Sequence, residues 1–246
     1  MTAIIRAELF KLATTRAPWL AGAFMVAFAS IGPLVFGLTD TRQSSGFLTN
    51  AAAQLDAMTL TPVTLVAAVI GALVATSDHR HGSIVGAVLA TPRRHRLVIA
   101  KAAATTVVAT ALVAVAGVVL LVLSVGLVSF QGGVWSVPIS DYLIQLGRGG
   151  FPVIALAVIG YGLGEVVRNQ AMAVTIPLVV MTILTPIAMA LSPDLAWYLP
   201  SGLDAILAHG ATPAPIGRTT AGLLLAGYAA IAVGIGGMCL VRRDVV

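Results

Sequence analysis

The side chains with the most chemical capacity in this chain stand close together. Asp78, His79, Arg80 and His81 open a segment, 77–101, that also carries Arg93, Arg94, His95, Arg96 and Lys101. Asp78, His79 and His81 are possible metal ligands. Histidines two residues apart on a helix point to different faces, however, and Arg80 adds repelling charge between them. The segment therefore predicts no metal site. The single cysteine, Cys239, excludes an intramolecular disulfide and argues against a Cys-based zinc site. No H-E-x-x-H motif and no Gly-rich phosphate loop of the Walker type occurs. The chain is read as having no catalytic site and no bound cofactor of its own. What remains is charge recognition, either in a groove on a partner protein or at lipid phosphates. Near an anionic surface each basic residue contributes about 1 kcal/mol. Nothing supports nucleic-acid binding, since no recognition fold is present and the basic charge has another explanation.

That explanation lies in the elements that must position the segment. The chain of 246 residues is 59% hydrophobic and 9% charged, against roughly 25% charged in soluble domains. Its mean hydropathy is +1.01. Ala102 to Ser140 holds no Asp, Glu, Lys or Arg, and about 20 residues suffice to cross a bilayer. The reading is an all-α integral membrane protein of one domain. Spans are predicted at 17–38, 58–76, 102–130, 149–164, 171–191 and 219–241. The third is long enough to tilt or to extend beyond the membrane. A cleaved signal peptide is the competing reading of the first span. Its basic region would run unusually long, from Arg6 to Arg16, and its apolar run continues to Leu38.

Lys and Arg set the orientation. With both termini cytoplasmic, Arg42, Arg148 and Arg218 fall outside and the remaining eleven of the 14 basic residues fall inside. Trp135, Tyr142, Trp197 and Tyr198 then lie at the outer interface and Trp19 at the inner one. Part of the charge in 77–101 is thus topogenic. Topology does not account for the segment's length or for its pattern. Ile84, Val88 and Leu89 share a helical face, and Thr91-Pro92 ends it. The segment reads as a docking element as well as an anchor. Residues 1–16 read as an amphipathic interface helix, with Ile5, Leu9, Leu12 and Ala13 on one side and Glu8, Lys11 and Thr15 on another. Glu8 and Lys11 can pair at i,i+3.

Three further groups carry weaker signals. Thr175, Leu178, Thr182, Thr185 and Met189 share a face of the fifth span, which also contains Pro177 and Pro186. That face could line a path for an amphipathic substrate, or its threonines could bond back to their own backbone. Gly222, Ala226, Ala230 and Gly234 repeat every four residues in the sixth span and allow close helix contact, within the chain or with a second copy. Glu165 and Arg168 are expected to form an exposed i,i+3 pair in the turn between spans four and five.

On the predicted boundaries, no ionisable residue lies deep in a span. Proton-coupled carriers usually need one. Any work would then enter from a cytoplasmic surface. At this point the chain resembles the permease subunits of ATP-binding-cassette exporters, in the short six-helix type-2 family. RAELFKLATTR, Arg6 to Arg16, resembles their interface helix. SDHRHGSIVGAVLATPRRHRLVIAK resembles their segment of charged residue, Arg, any residue, Gly and Ser/Thr, followed by a basic stretch and a Lys opening span three. Asp78 stands where many members have Glu. YGLGEVVRNQAMAVTIPLVV, Tyr161 to Val180, resembles the link from span four to span five. WYLPSGLDAIL, Trp197 to Leu207, resembles the outer segment before the last span.

The resemblance implies a single permease domain over 1–246. It would have an interface helix at 1–16, a coupling loop at 77–101 and an outer re-entrant or helical segment at 192–218. It implies a second permease copy and two copies of a separate ATPase that holds ATP and Mg, in a bacterial plasma membrane. The ATPase contacts would fall to Glu8, Lys11, Asp78, Arg80, Gly82, Ile84 and Val88. Two other readings stand beside it: a non-transporting membrane assembly or sensory protein that docks a cytoplasmic partner, and a secondary transporter.

Overall fold

The computed structural model describes residues 2–39, 47–58, 63–80, 94–210 and 214–242. All regular structure among them is helical. In chain order the helices are α1 (Thr2–Thr14), α2 (Arg16–Ala29), α3 (Ile31–Thr39), α4 (Ala51–Ala57) and α5 (Thr64–Arg80). They continue with α6 (Arg94–Phe130), α7 (Ile139–Val167), α8 (Gln170–Leu191), α9 (Pro193–Ala196), α10 (Pro200–His209) and α11 (Arg218–Arg242).

Among the described residues, five stretches are long and apolar enough to cross a membrane. They are Trp19–Leu38, which joins α2 and α3, and then His95–Phe130, Ile139–Val167, Gln170–Leu191 and Arg218–Leu240. The chain is thus a multi-pass helical membrane protein by length and composition. The stretch expected to be the second span is α5, whose apolar part, Thr64–Ser77, is shorter. α6 and α7 overrun their predicted limits the most. α6 begins at Arg94 instead of 102, and α7 covers Ile139–Val167 instead of 149–164.

Local chemistry explains the breaks. α1 stops where the Thr14 and Thr15 hydroxyls donate back to the carbonyls of Phe10 (3.1 Å) and Leu12 (3.2 Å). Trp19 Nε1 then donates to the Ala13 carbonyl at 2.8 Å and fixes the corner into α2. α7 ends at Arg168, whose φ of 56° is left-handed. Asn169 caps α8 by accepting from the Met172 amide at 3.2 Å. Within α8, residues Val180–Leu184 wind as a π turn between Pro177 and Pro186. Each of these prolines lacks the N–H of a regular ladder. α10 starts on Pro200 and ends at Gly210, left-handed at φ 64°.

α7 is the hub of the bundle, with α5, α11, α6 and α10 all packed on it. The α5–α7 contact is the most extensive. It exists because two glycines face backbone. A methyl group at Gly71 would overlap the Ala157 carbonyl oxygen, and one at Gly160 would overlap that of Ala68. Between lipid-embedded helices there is little hydrophobic drive, so such close van der Waals approach supplies the adhesion. At the opposite end from α1, fully buried Gln54 on α4 clamps the link between α6 and α7. Its Nε2 donates to the Val134 carbonyl (2.9 Å) and its Oε1 accepts from the Ser136 amide (3.1 Å).

Candidate coupling site

α1 packs across the N-terminal part of α6, with Leu12 buried. Glu8 and Lys11 form the expected i,i+3 pair at 4.0 Å. Glu8 is mostly covered, and the pair borders the bundle. Burial pulls the Lys11 ammonium below its usual range; Glu8 opposes that shift, Lys101 adds to it and Glu165 counters it. Those last two names locate the centre of the site.

Lys101 on α6 and Glu165 on α7 form an ion pair at 3.6 Å, and both are buried. The Tyr161 hydroxyl, one turn before Glu165, donates to the Val98 carbonyl at 3.2 Å. The same two helices are therefore tied by an ion pair and by a neutral hydrogen bond. α1 lies over this junction with two charges of its own. In a low-dielectric setting such groups polarise one another and fix one arrangement of the helices.

One expectation is overturned here. Glu165 and Arg168 do not form an exposed pair. Pairing at i,i+3 needs helical backbone at both residues, and Arg168 has left the helix. Its guanidinium instead donates to the Cys239 carbonyl at 3.2 Å and ties the end of α7 to that of α11. The two residues of the ion pair sit toward the ends of long apolar stretches. Lys101 lies within the His95–Phe130 stretch and Glu165 within Ile139–Val167.

The other named residues are distributed as follows. Asp78 and Arg80 fall in the last turn of α5, while Gly82, Ile84 and Val88 lie outside the described residues. Thr175 and Thr182 are exposed and donate back to Ala171 (2.9 Å) and Leu178 (2.6 Å). Thr185 is turned inward, bonding back to Val180 at 3.0 Å and accepting from Ser201 of α10 at 2.8 Å. Met189 is exposed. The π turn separates Thr175 from Thr185, so the stripe is not one continuous face. An open cleft of about 680 Å³ does involve Thr175, together with Thr76, Arg168 and Asn169. Of the small-residue repeat, Gly222 is partly covered near Leu207 and Phe151, Ala226 and Ala230 are exposed, and among the described residues nothing lies within 4 Å of a methyl placed at Gly234. The close contacts within the chain are made instead by Gly71 and Gly160, and by Gly162, which meets Ala232 of α11.

Asp204 carried no signal in the sequence. It is 1% exposed, on α10, and accepts a hydrogen bond from Thr64 at 3.2 Å.

Compared with known proteins, the chain matches no protein-family model and no curated protein.

Proposed function

We propose that the chain is the membrane permease subunit of an ATP-driven exporter in a bacterial plasma membrane, working as a pair with two copies of a separate ATPase. One observation carries this reading. The interface helix α1 is seated on the buried Lys101–Glu165 junction, with Glu8 and Lys11 beside it. A push on α1, or on the last turn of α5 where Asp78 and Arg80 fall, would be transmitted to α6 and α7 through charged groups that tolerate few alternative positions. That is the mechanical property required of a permease that does not bind ATP itself. The partner would hold ATP and Mg. The substrate class that suits the apolar helices is amphipathic.

A second reading, a secondary transporter, draws on Lys101, Glu165 and Asp204. Ionisable residues within a helical bundle often mark proton or ion paths. One experiment separates the two. The chain is coexpressed with the ATPase encoded by an adjacent reading frame, copurified and assayed in lipid. Stable association, with ATP hydrolysis that falls when residues 2–14 are deleted, supports the exporter. A chain that purifies alone and moves amphipathic dyes in response to an imposed pH gradient supports the alternative.

A further inference from the structure

We propose that Asp204 is a proton-binding site that locks α10 against α5: the carboxyl is seated as the neutral acid, and its ionisation loosens the helix. The proposal is independent of which energy source drives the protein.

The argument starts from how α10 is held. Side-chain hydrogen bonds tether it and its flank to four helices. Ser201 donates to Thr185 of α8, Thr64 of α5 to Asp204, Gln145 of α7 to the Ala208 carbonyl (3.2 Å), and Tyr228 of α11 to the Tyr198 carbonyl (3.1 Å). Leu203, Ile206 and Leu207 pack against Ala155, Ala221 and Leu225. Thr185 lies six residues before the end of α8, about 9 Å along a helix. α10 is therefore inserted among the helices, with Ala155 beside it in the middle of α7.

Of the four tethers, only Asp204 titrates in the ordinary pH range. It is buried, and among the described residues Oδ2 has the single partner Thr64 and Oδ1 has none. A carboxylate in such a place would be charged, desolvated and half-satisfied, whereas a neutral acid is tolerated. Burial pushes the carboxyl up to about 7, and the Thr64 hydrogen bond acts the other way.

Among the described residues, no charge nearby compensates. From Thr64 to Ser77, α5 carries no titratable residue. On the outer half of α7, Asp141 and Arg148 are exposed, and the Tyr142 hydroxyl is bonded to the Gly117 carbonyl. On α11, Tyr228 is bonded to Tyr198, and Arg218 lies at Gly210 beyond the end of α10. Asp194 and His209 are exposed.

The sign follows. A carboxyl whose seated value lies above its ordinary 3.8 favours the seated helix most at low pH. That advantage is lost as pH rises from about 4 to about 7, and the effect is flat above. Loosening should therefore grow about tenfold per pH unit in that window.

The test is hydrogen–deuterium exchange of the peptide covering 199–209 in the intact protein in lipid, corrected for intrinsic exchange. Between pH 5 and pH 7 the corrected rate should rise by roughly fiftyfold, the slope falling off as pH reaches the seated value. In Asp204→Asn it should be flat and slow. Thr64→Val retains the acid and removes the bond that lowers its value, so the end of the rise should move to higher pH. Infrared difference spectra should show a protonated-carboxyl band at pH 6 that is absent from Asp204→Asn. A pH-independent rate in the native chain would overturn the proposal, as would an equal slope in Asp204→Asn. If Asp204→Asn does not fold, Thr64→Val decides alone, and an unmoved profile there is fatal.

Discussion

Replacing Lys101 by Met, Glu165 by Met, and both together forms a cycle that measures how firmly α6 and α7 are joined. At 3.6 Å, and with an effective dielectric of about 20, the two charges attract by about 5 kcal/mol. Desolvation opposes much of that, so the pair as a whole adds little net stability. Removing one partner is different, because it strands the other charge in the bundle at about 3–5 kcal/mol. Each single variant should therefore unfold far more readily, whereas the double variant, apolar on both sides, should return to near the native value. Reversible unfolding in mixed micelles gives the three free energies, and the expected coupling energy is on the order of 3 kcal/mol or more. Tyr161→Phe serves as a control. It removes one neutral donor and should cost about 0.5–1.5 kcal/mol. A coupling energy below about 0.5 kcal/mol, or a double variant as unstable as the sum of the singles, would mean that the groups are hydrated and do not act as one unit. The double variant has a second use. If the junction transmits force, it should fold well and still lose ATPase activity that depends on α1.

Two further outcomes follow from the geometry and the proposed function. Gly71→Ala or Gly160→Ala should sharply lower the yield of monodisperse protein and its melting temperature, because the added methyl meets a backbone carbonyl that cannot rotate away; Gly126→Ala, in open space, should change neither. Asp78→Ala with Arg80→Ala should uncouple or release the ATPase while the chain stays inserted. On that reading Arg93→Ala with Arg94→Ala should leave hydrolysis nearly unchanged; the reverse result would move the docking element to the stretch after Pro92.

Helical class, membrane character and five of the spans were legible because they rest on runs of apolar residues, which are local. So was the Glu8–Lys11 pair, which depends on spacing within one helix. The Lys101–Glu165 pair was missed because the limits of spans three and four were drawn at 102 and 164, one residue inside each charge. Hydropathy treats a charge as an edge, whereas a helix continues through it when a partner waits on a neighbouring helix. Arg168 was misplaced because its left-handed backbone is set by the corner between α7 and α8, not by residue type. Asp204 reads as an ordinary polar residue of an outer segment until α5 and α10 are brought together across 140 residues. The adhesive glycines look like any others in a Gly-rich chain; only the facing backbone distinguishes Gly71 from Gly126.

The π turn in α8 bears on how this chain could change over generations. A π turn holds one residue more than the α-helical turn it replaces, so it is where a helix has absorbed an insertion without altering what lies on either side. Deleting a residue of α8 before the π turn would turn the following stretch by about 100° and carry Thr185 away from Ser201. Deleting one within 180–184 also removes that extra residue, but it lets the turn regularise. Such a lesion should keep the fold and the register of Thr185 with Ser201, so that the melting curve and the exchange rate of 199–209 change little. Length variation among descendants of this sequence is thus expected to collect at one turn of one span, where it would leave both the seating of α10 and the charged junction beneath α1 as they are.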